Sequence, residues 1–182
     1  MKKKSTLWII QCGFGIALVL LAQFIGKLLV PYGNIGVIPL NQLVTGTLVN
    51  AMLLTMCIKV DWFCGVVVGV FSAILAQFMG MGPLFPIMTP IIALANAIIV
   101  IAFYMVYKFC KNRWVSVIVA GSIKCGFLWI SMPLLLDSIT NIKPPQAKML
   151  TLMFSWPQAV TAIVGGLLMC LLYPYLKEVK SK

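Results

Sequence analysis

Continuous apolar runs fill almost all of this chain, and they constrain its fold more than any other feature. A membrane-crossing helix needs about 20 predominantly apolar residues. The runs predict six helices, at roughly 5–30, 41–58, 63–81, 87–109, 114–136 and 147–173. Turn residues punctuate them at Pro31-Tyr-Gly-Asn-Ile-Gly, Pro39, Gly80 to Pro86 and Pro144-Pro145. A β-barrel would need alternating segments of about 10 residues, and these runs do not alternate. The expectation is an all-α membrane protein of six transmembrane helices forming one domain, 1–182, with no room for a soluble domain. A hydrophobic content of 62%, only 9% charged residues and a mean hydropathy of +1.07 agree with that class.

The formal net charge of +11 invites a nucleic-acid reading, but the distribution argues against one. The basic residues sit beside the apolar runs, as orientation signals and contacts to anionic headgroups do. A nucleic-acid partner would need a folded basic surface, so none is expected. With the N-terminus in the cytoplasm, the inner side collects Lys2, Lys3, Lys4, Lys59, Lys108, Lys111, Arg113, Lys177, Lys180 and Lys182. The outer side holds Lys143 and Lys148, with Lys27 at an outer helix end. That bias, with an even number of spans, predicts both termini inside. The basic N-terminus followed by an apolar run resembles a signal peptide, but the run reaches Val30 without an A-x-A-like site, predicting a retained first helix.

Several chemistries are excluded by what is missing. There is no histidine and no CxxC, so zinc catalysis and histidine acid–base chemistry are not expected. The six cysteines (Cys12, Cys57, Cys64, Cys110, Cys125 and Cys170) fall mostly within spans or near inner ends, predicting reduced thiols rather than a disulfide framework. No GxxxxGK[ST] loop is present, so the chain does not itself hydrolyse ATP. No carboxylate lies in the middle of a span to carry a proton or sodium ion, and no inverted repeat of the transporter kind is visible. No cofactor and no metal are expected.

One residue stands out against this background. Lys124 falls midway along the run from Trp114 to Leu136, near the expected bilayer centre. A cation there costs roughly 2.5–3.5 kcal/mol on insertion scales, so such residues face a cavity, a partner or a ligand. The chain has three acids, Asp61, Asp137 and Glu178, and none is placed to neutralise it. Asn50, Gln77, Asn96 and Gln158 fall at similar depth on other helices, with Asn41, Gln42, Ser131, Trp129 and Trp156 in the same zone. Apolar walls carrying a few placed polar groups are the make-up of a small-molecule site. The candidate substrate-binding set is therefore Lys124, Asn96, Gln158, Trp129, Trp156, Asn50, Gln77 and Asn41. Two alternatives stay open: amides in spans also hydrogen-bond neighbouring helices, and tryptophans also mark membrane interfaces. Small residues form a second pattern, Gly65, Gly69 and Ala73 in helix 3 and Gly13 and Ala17 in helix 1. Such stripes permit close helix approach, within the bundle or to another membrane subunit. The outer connectors 31–40, 80–86 and 137–146 are long and rich in Pro and Gly, while the inner ones are tight and basic, which fits a cavity opening outward.

Over essentially its whole length the chain resembles a substrate-binding S component of an energy-coupling factor (ECF) transporter. The resemblance rests on size, six spans with both ends inside, and a long outer loop between helices 1 and 2. More specific are Pro39-Leu-Asn-Gln-Leu-Val-Thr-Gly-Thr-Leu-Val-Asn50-Ala, Asp61-Trp-Phe-Cys-Gly65-Val-Val-Val-Gly69 and Phe154-Ser-Trp-Pro-Gln158-Ala-Val-Thr-Ala-Ile-Val-Gly-Gly166. It implies capture of a vitamin-like small molecule outside, then docking onto one transmembrane coupling subunit and two ATPase subunits. The family's helix-1 Ala-x-x-x-Ala partner contact corresponds by position to Gly13-Phe-Gly-Ile-Ala17, and its lid to Pro31 to Leu40. The competing expectations are a standalone carrier or channel and, more remotely, an intramembrane enzyme, for which the chain lacks paired carboxylates.

Overall fold

The computed structural model describes residues 2–35, 38–83, 85–138 and 142–176. It contains α1 (Lys2–Leu28), a two-residue hairpin of β1 (Asn34–Ile35) and β2 (Ile38–Pro39), α2 (Leu40–Lys59), α3 (Trp62–Phe78), α4 (Thr89–Cys110), α5 (Arg113–Asp137), α6 (Pro144–Met153) and α7 (Trp156–Leu172). Single 3₁₀ turns lie at Val30–Tyr32 and Pro86–Met88. The protein is thus helical apart from the hairpin, in which Asn34 pairs with Pro39 and Ile35 with Ile38.

Among the described residues, five stretches are long and apolar enough to cross a membrane: Ser5–Leu28, Leu40–Lys59, Pro86–Cys110, Arg113–Asp137 and Pro144–Leu172. The protein is therefore a multi-pass membrane protein by length and composition. The 17-residue α3 is a shorter apolar helix, about 25 Å long at 1.5 Å per residue. Large apolar side chains such as Ile9, Phe14, Phe71, Phe78, Ile118 and Leu134 are exposed around the outside, as lipid-facing residues are.

The expected sixth helix, 147–173, is two helices with a break at Phe154 and Ser155. Pro157 accounts for it. Proline has no N–H and its ring crowds the carbonyl four residues back, so Met153 O loses its helical donor and the run interrupts there. Elsewhere the boundaries move by a few residues: α1 begins at Lys2 and ends at Leu28, and α3 stops at Phe78.

The short connectors carry their own caps. Asp61 Oδ1 accepts from Cys64 N at 2.6 Å and starts α3, while its Oδ2 accepts from Trp8 Nε1 at 2.6 Å and ties α1 to the same corner. Lys111 takes the left-handed conformation that ends α4 (φ 54°), and Asn112 Oδ1 then accepts from Trp114 N and Val115 N to open α5.

The helices form a ring, α1–α3–α4–α5–α7–α2, with α2 also packed on α3 and α4. Small residues set the closest approaches. A Cβ on Gly165 of α7 would sit 2.5 Å from Thr47 O of α2, and one on Gly69 of α3 would sit 3.0 Å from Asn96 Cβ of α4. The Gly65, Gly69 and Ala73 stripe is buried and faces into the bundle, so its role here is internal packing. Gly13 and Ala17 are instead on the exposed side of α1, and nothing lies within 4 Å of the Gly13 Cβ direction. A buried cluster around Val19, Leu53, Leu54, Val68, Val117, Ile99, Phe103 and Met169 draws on all six helices of the ring. A smaller one, Met88, Ala95, Leu128 and Met132, packs α4 and the turn before it against α5.

Candidate functional site

Between the two clusters lies a cavity of about 450 Å³, within the 300–1,000 Å³ range of small-molecule sites. Its rim comes from one end of the bundle: Lys27 and Val30 at the end of α1, Asn41 at the start of α2, Gly80 to Pro83 after α3, and Met153 and Phe154 at the α6–α7 break. Deeper walls come from Gln42, Thr45 and Val49 of α2, Ala73 and Ala76 of α3, Ile92 and Asn96 of α4, Lys124 and Leu128 of α5, and Gln158 of α7. In the orientation expected from the basic residues, that rim is the outer end.

Lys124 is 4% exposed and reaches the cavity from the middle of α5. Its Nζ donates to Asn50 Oδ1 at 2.7 Å and to Asn96 Oδ1 at 3.0 Å. An ammonium has three N–H donors, and these two amides, both neutral, take two of them. Asn96 is held in turn: its Nδ2 donates 3.2 Å to Gly69 O, and the missing side chain at Gly69 lets α4 come close enough for that bond. Asn50 Nδ2, on the other face of the amide, is buried with no partner.

The break before α7 builds a second polar wall. Because Pro157 leaves Met153 O without its helical donor, this carbonyl accepts from two glutamines, Gln42 Nε2 at 2.5 Å and Gln158 Nε2 at 3.3 Å. Thr89 Oγ1 donates to Gln77 Oε1 at 3.0 Å at the start of α4. At the rim, Lys27 Nζ donates to Gly80 O at 3.2 Å and joins α1 to the turn after α3.

Among the described residues, no acid lines the cavity. Asp61 is committed to capping α3 and to Trp8, and Asp137 is exposed at the end of α5; Glu178 lies outside the described residues. Among the described residues, no group of three or more His, Cys, Asp or Glu is placed to hold a metal ion. The six cysteines are free thiols, and the Cys12 Sγ and Cys64 Sγ atoms lie 2.9 Å apart where α1 meets α3.

The structure therefore brings together Lys124, Asn96, Gln158 and Asn41 of the expected set on one cavity. Asn50 stands behind the lysine as its acceptor, and Gln77 stands behind Thr89, so neither forms the lining. Trp129 and Trp156 do not line it at all. They are 65% and 50% exposed and point away from the bundle, as interface tryptophans do. Ser131 Oγ bonds back to Phe127 O within its own helix. Sequence reasoning missed Gln23, Thr45 and Thr89 as lining residues. The spacing of Gln23, Gly26 and Lys27 on one face of α1 was the signal that pointed to the first of them. Of the segment expected to act as a lid, Gly36 and Val37 lie outside the described residues. So do Leu84, residues 139–141 of the third outer connector, and Lys177, Lys180 and Lys182 of the inner basic set.

Compared with protein-family models, with curated proteins and with solved structures, the chain matches none.

Proposed function

We propose that this protein is the membrane-embedded substrate-binding subunit, or S component, of an ECF-type importer. It would capture a vitamin-like small molecule outside the cell and release it inward when docked on a transmembrane coupling subunit with two ATPases. One observation carries the reading: a cavity of about 450 Å³ open at one end of the helix ring, with a buried lysine on its wall and no acid among the described residues of its lining. The lysine's third donor is available to a carboxylate or phosphate oxygen, at a depth where an uncompensated cation is costly. The chain offers no ATP-binding loop and no intramembrane carboxylate, which favours an energy source on other subunits.

In this reading the shorter α3 is a sixth span and both termini are cytoplasmic, in the plasma membrane of a bacterium. Gly13 and Ala17 form part of the face that meets the coupling subunit, since they are exposed and unobstructed. The hairpin between α1 and α2 is the lid over the rim.

Affinity purification of the full chain from its native membranes tests this. The expected result is retention of one further membrane protein and two ATPases, with solute uptake by reconstituted vesicles only when all are present and ATP is supplied. Uptake by vesicles containing this chain alone replaces the reading with a standalone carrier.

A further inference from the structure

Four polar side chains are built into the buried wall of the cavity: Lys124, Asn96, Thr89 and Gln158, each less than a tenth exposed. Their hydrogen bonds to the protein determine what each has left for a ligand. Asn96 puts one N–H on Gly69 O and its carbonyl on Lys124, leaving its second N–H. Thr89 has given its only proton to Gln77 Oε1, so its oxygen has only lone pairs to offer. Gln158 has turned its N–H₂ to Met153 O, and its Oε1 is engaged by no described residue. The part-buried Gln42 repeats the pattern: its N–H₂ is on Met153 O, and its buried Oε1 has no partner. The wall thus offers as donors the free N–H of the Lys124 ammonium and the second N–H of each amide, beside three acceptors that no described residue engages: Thr89 Oγ1, Gln158 Oε1 and Gln42 Oε1. Gln23, Asn41 and Thr45 are less buried and carry both donors and acceptors.

We infer that the cavity takes a compact carboxylate that also bears N–H or O–H donors, and that it discriminates against acceptor-only anions such as sulfate. The carboxylate meets Lys124, and the ligand's donors meet Thr89 Oγ1 and Gln158 Oε1. The amide orientation behind this follows from Pro157, because the freed Met153 carbonyl can accept only N–H and so turns both glutamines the same way. Sulfate has no hydrogen to donate and would leave Thr89 Oγ1, Gln158 Oε1 and Gln42 Oε1 desolvated without donors. The inference rests on reading the cavity as a solute site.

The test uses the full chain in lipid nanodiscs and four probes: orotate (a carboxylate with two ring N–H groups), uracil (the same N–H groups without the carboxylate), benzoate (a carboxylate without N–H) and sulfate (an anion without any donor). Calorimetric titration is expected to show orotate binding at least roughly tenfold tighter than each of the others. In Gln158→Met and Thr89→Val, the advantage of orotate over benzoate should shrink while benzoate binding holds, a split that a merely structural role would not produce. Uracil matching orotate, or benzoate or sulfate matching it, overturns the inference and leaves the cavity a solute site of other chemistry. Binding of none of the four overturns both the inference and the reading of the cavity on which it rests.

Discussion

Lys124 donates to Asn50 Oδ1 across 2.7 Å, joining the middle of α5 to the middle of α2 where no described carboxylate lines the cavity. The pair decides how the protein tolerates a buried cation, and it sets up an asymmetry. Replacing Lys124 with methionine removes the charge together with its desolvation cost and leaves two neutral oxygens short of a donor. Replacing Asn50 with leucine keeps the charge and takes away its nearer acceptor. Asn50→Leu should therefore destabilise by about 2–3 kcal/mol, and Lys124→Met by less, because an uncompensated buried charge is the costlier defect. Thermal melts of both variants and of the double variant check this. The double variant should be more stable than Asn50→Leu alone. Lys124→Met should also remove anion binding while the fold persists.

The α6–α7 break is the second device. Pro157→Ala restores an N–H four residues after Met153, so the carbonyl that now holds Gln42 and Gln158 can be claimed by the helix backbone. The glutamines lose the bond that orients them. Binding of orotate should weaken about tenfold, a cost of about 1.4 kcal/mol, while helix content by circular dichroism stays level or rises.

The two kinds of glycine should separate cleanly on substitution. Gly165→Ala forces a methyl against Thr47 O at 2.5 Å and should cost about 1–3 kcal/mol of stability through overpacking. Gly13 has nothing within 4 Å of its Cβ direction, so Gly13→Leu should change the stability of the isolated chain by no more than the usual surface range of about ±0.5 kcal/mol. In the proposed importer the same change should reduce recovery of the coupling subunit in affinity purification. Unchanged recovery would remove Gly13 from the docking face.

Cys12 and Cys64 offer a check on the α1–α3 packing that needs no ligand. Their sulfurs are 2.9 Å apart and both side chains are buried. Diamide should take two hydrogens from this pair and leave an intramolecular disulfide, detected by intact mass and lost in Cys12→Ser. Exposed Cys110 should react instead with bulky maleimides. Failure of the pair to cross-link would contradict the placement of α1 against α3.

Much of the fold was legible because the bilayer imposes simple rules. Apolar length marked the helices, and Gly, Pro and Asn marked the turns between them. Lys124 was conspicuous because it was charged at the wrong depth, and Asn96, Gln158 and Asn41 followed as polar residues at matching depth. Depth was the limit of that reasoning, since it carries no angle. Trp129 and Trp156 share the depth of the cavity but face away from it. Asn50 and Gln77 share it but stand one residue behind the lining. The break in the last helix was written in Pro157, yet a 27-residue apolar run concealed it because hydropathy does not register a missing N–H.

By itself the sequence determined a multi-pass helical membrane protein, a lone midmembrane lysine and the absence of histidine chemistry, because hydropathy, charge and composition belong to residues one at a time. Only the tertiary structure decided that the lysine is held by two amides rather than left bare. It also decided that the Met153 carbonyl turns two glutamines to one orientation, and that the tryptophans lie outside. Those facts depend on the rotation of each helix about its axis, which is set when side chains from different helices pack and hydrogen-bond.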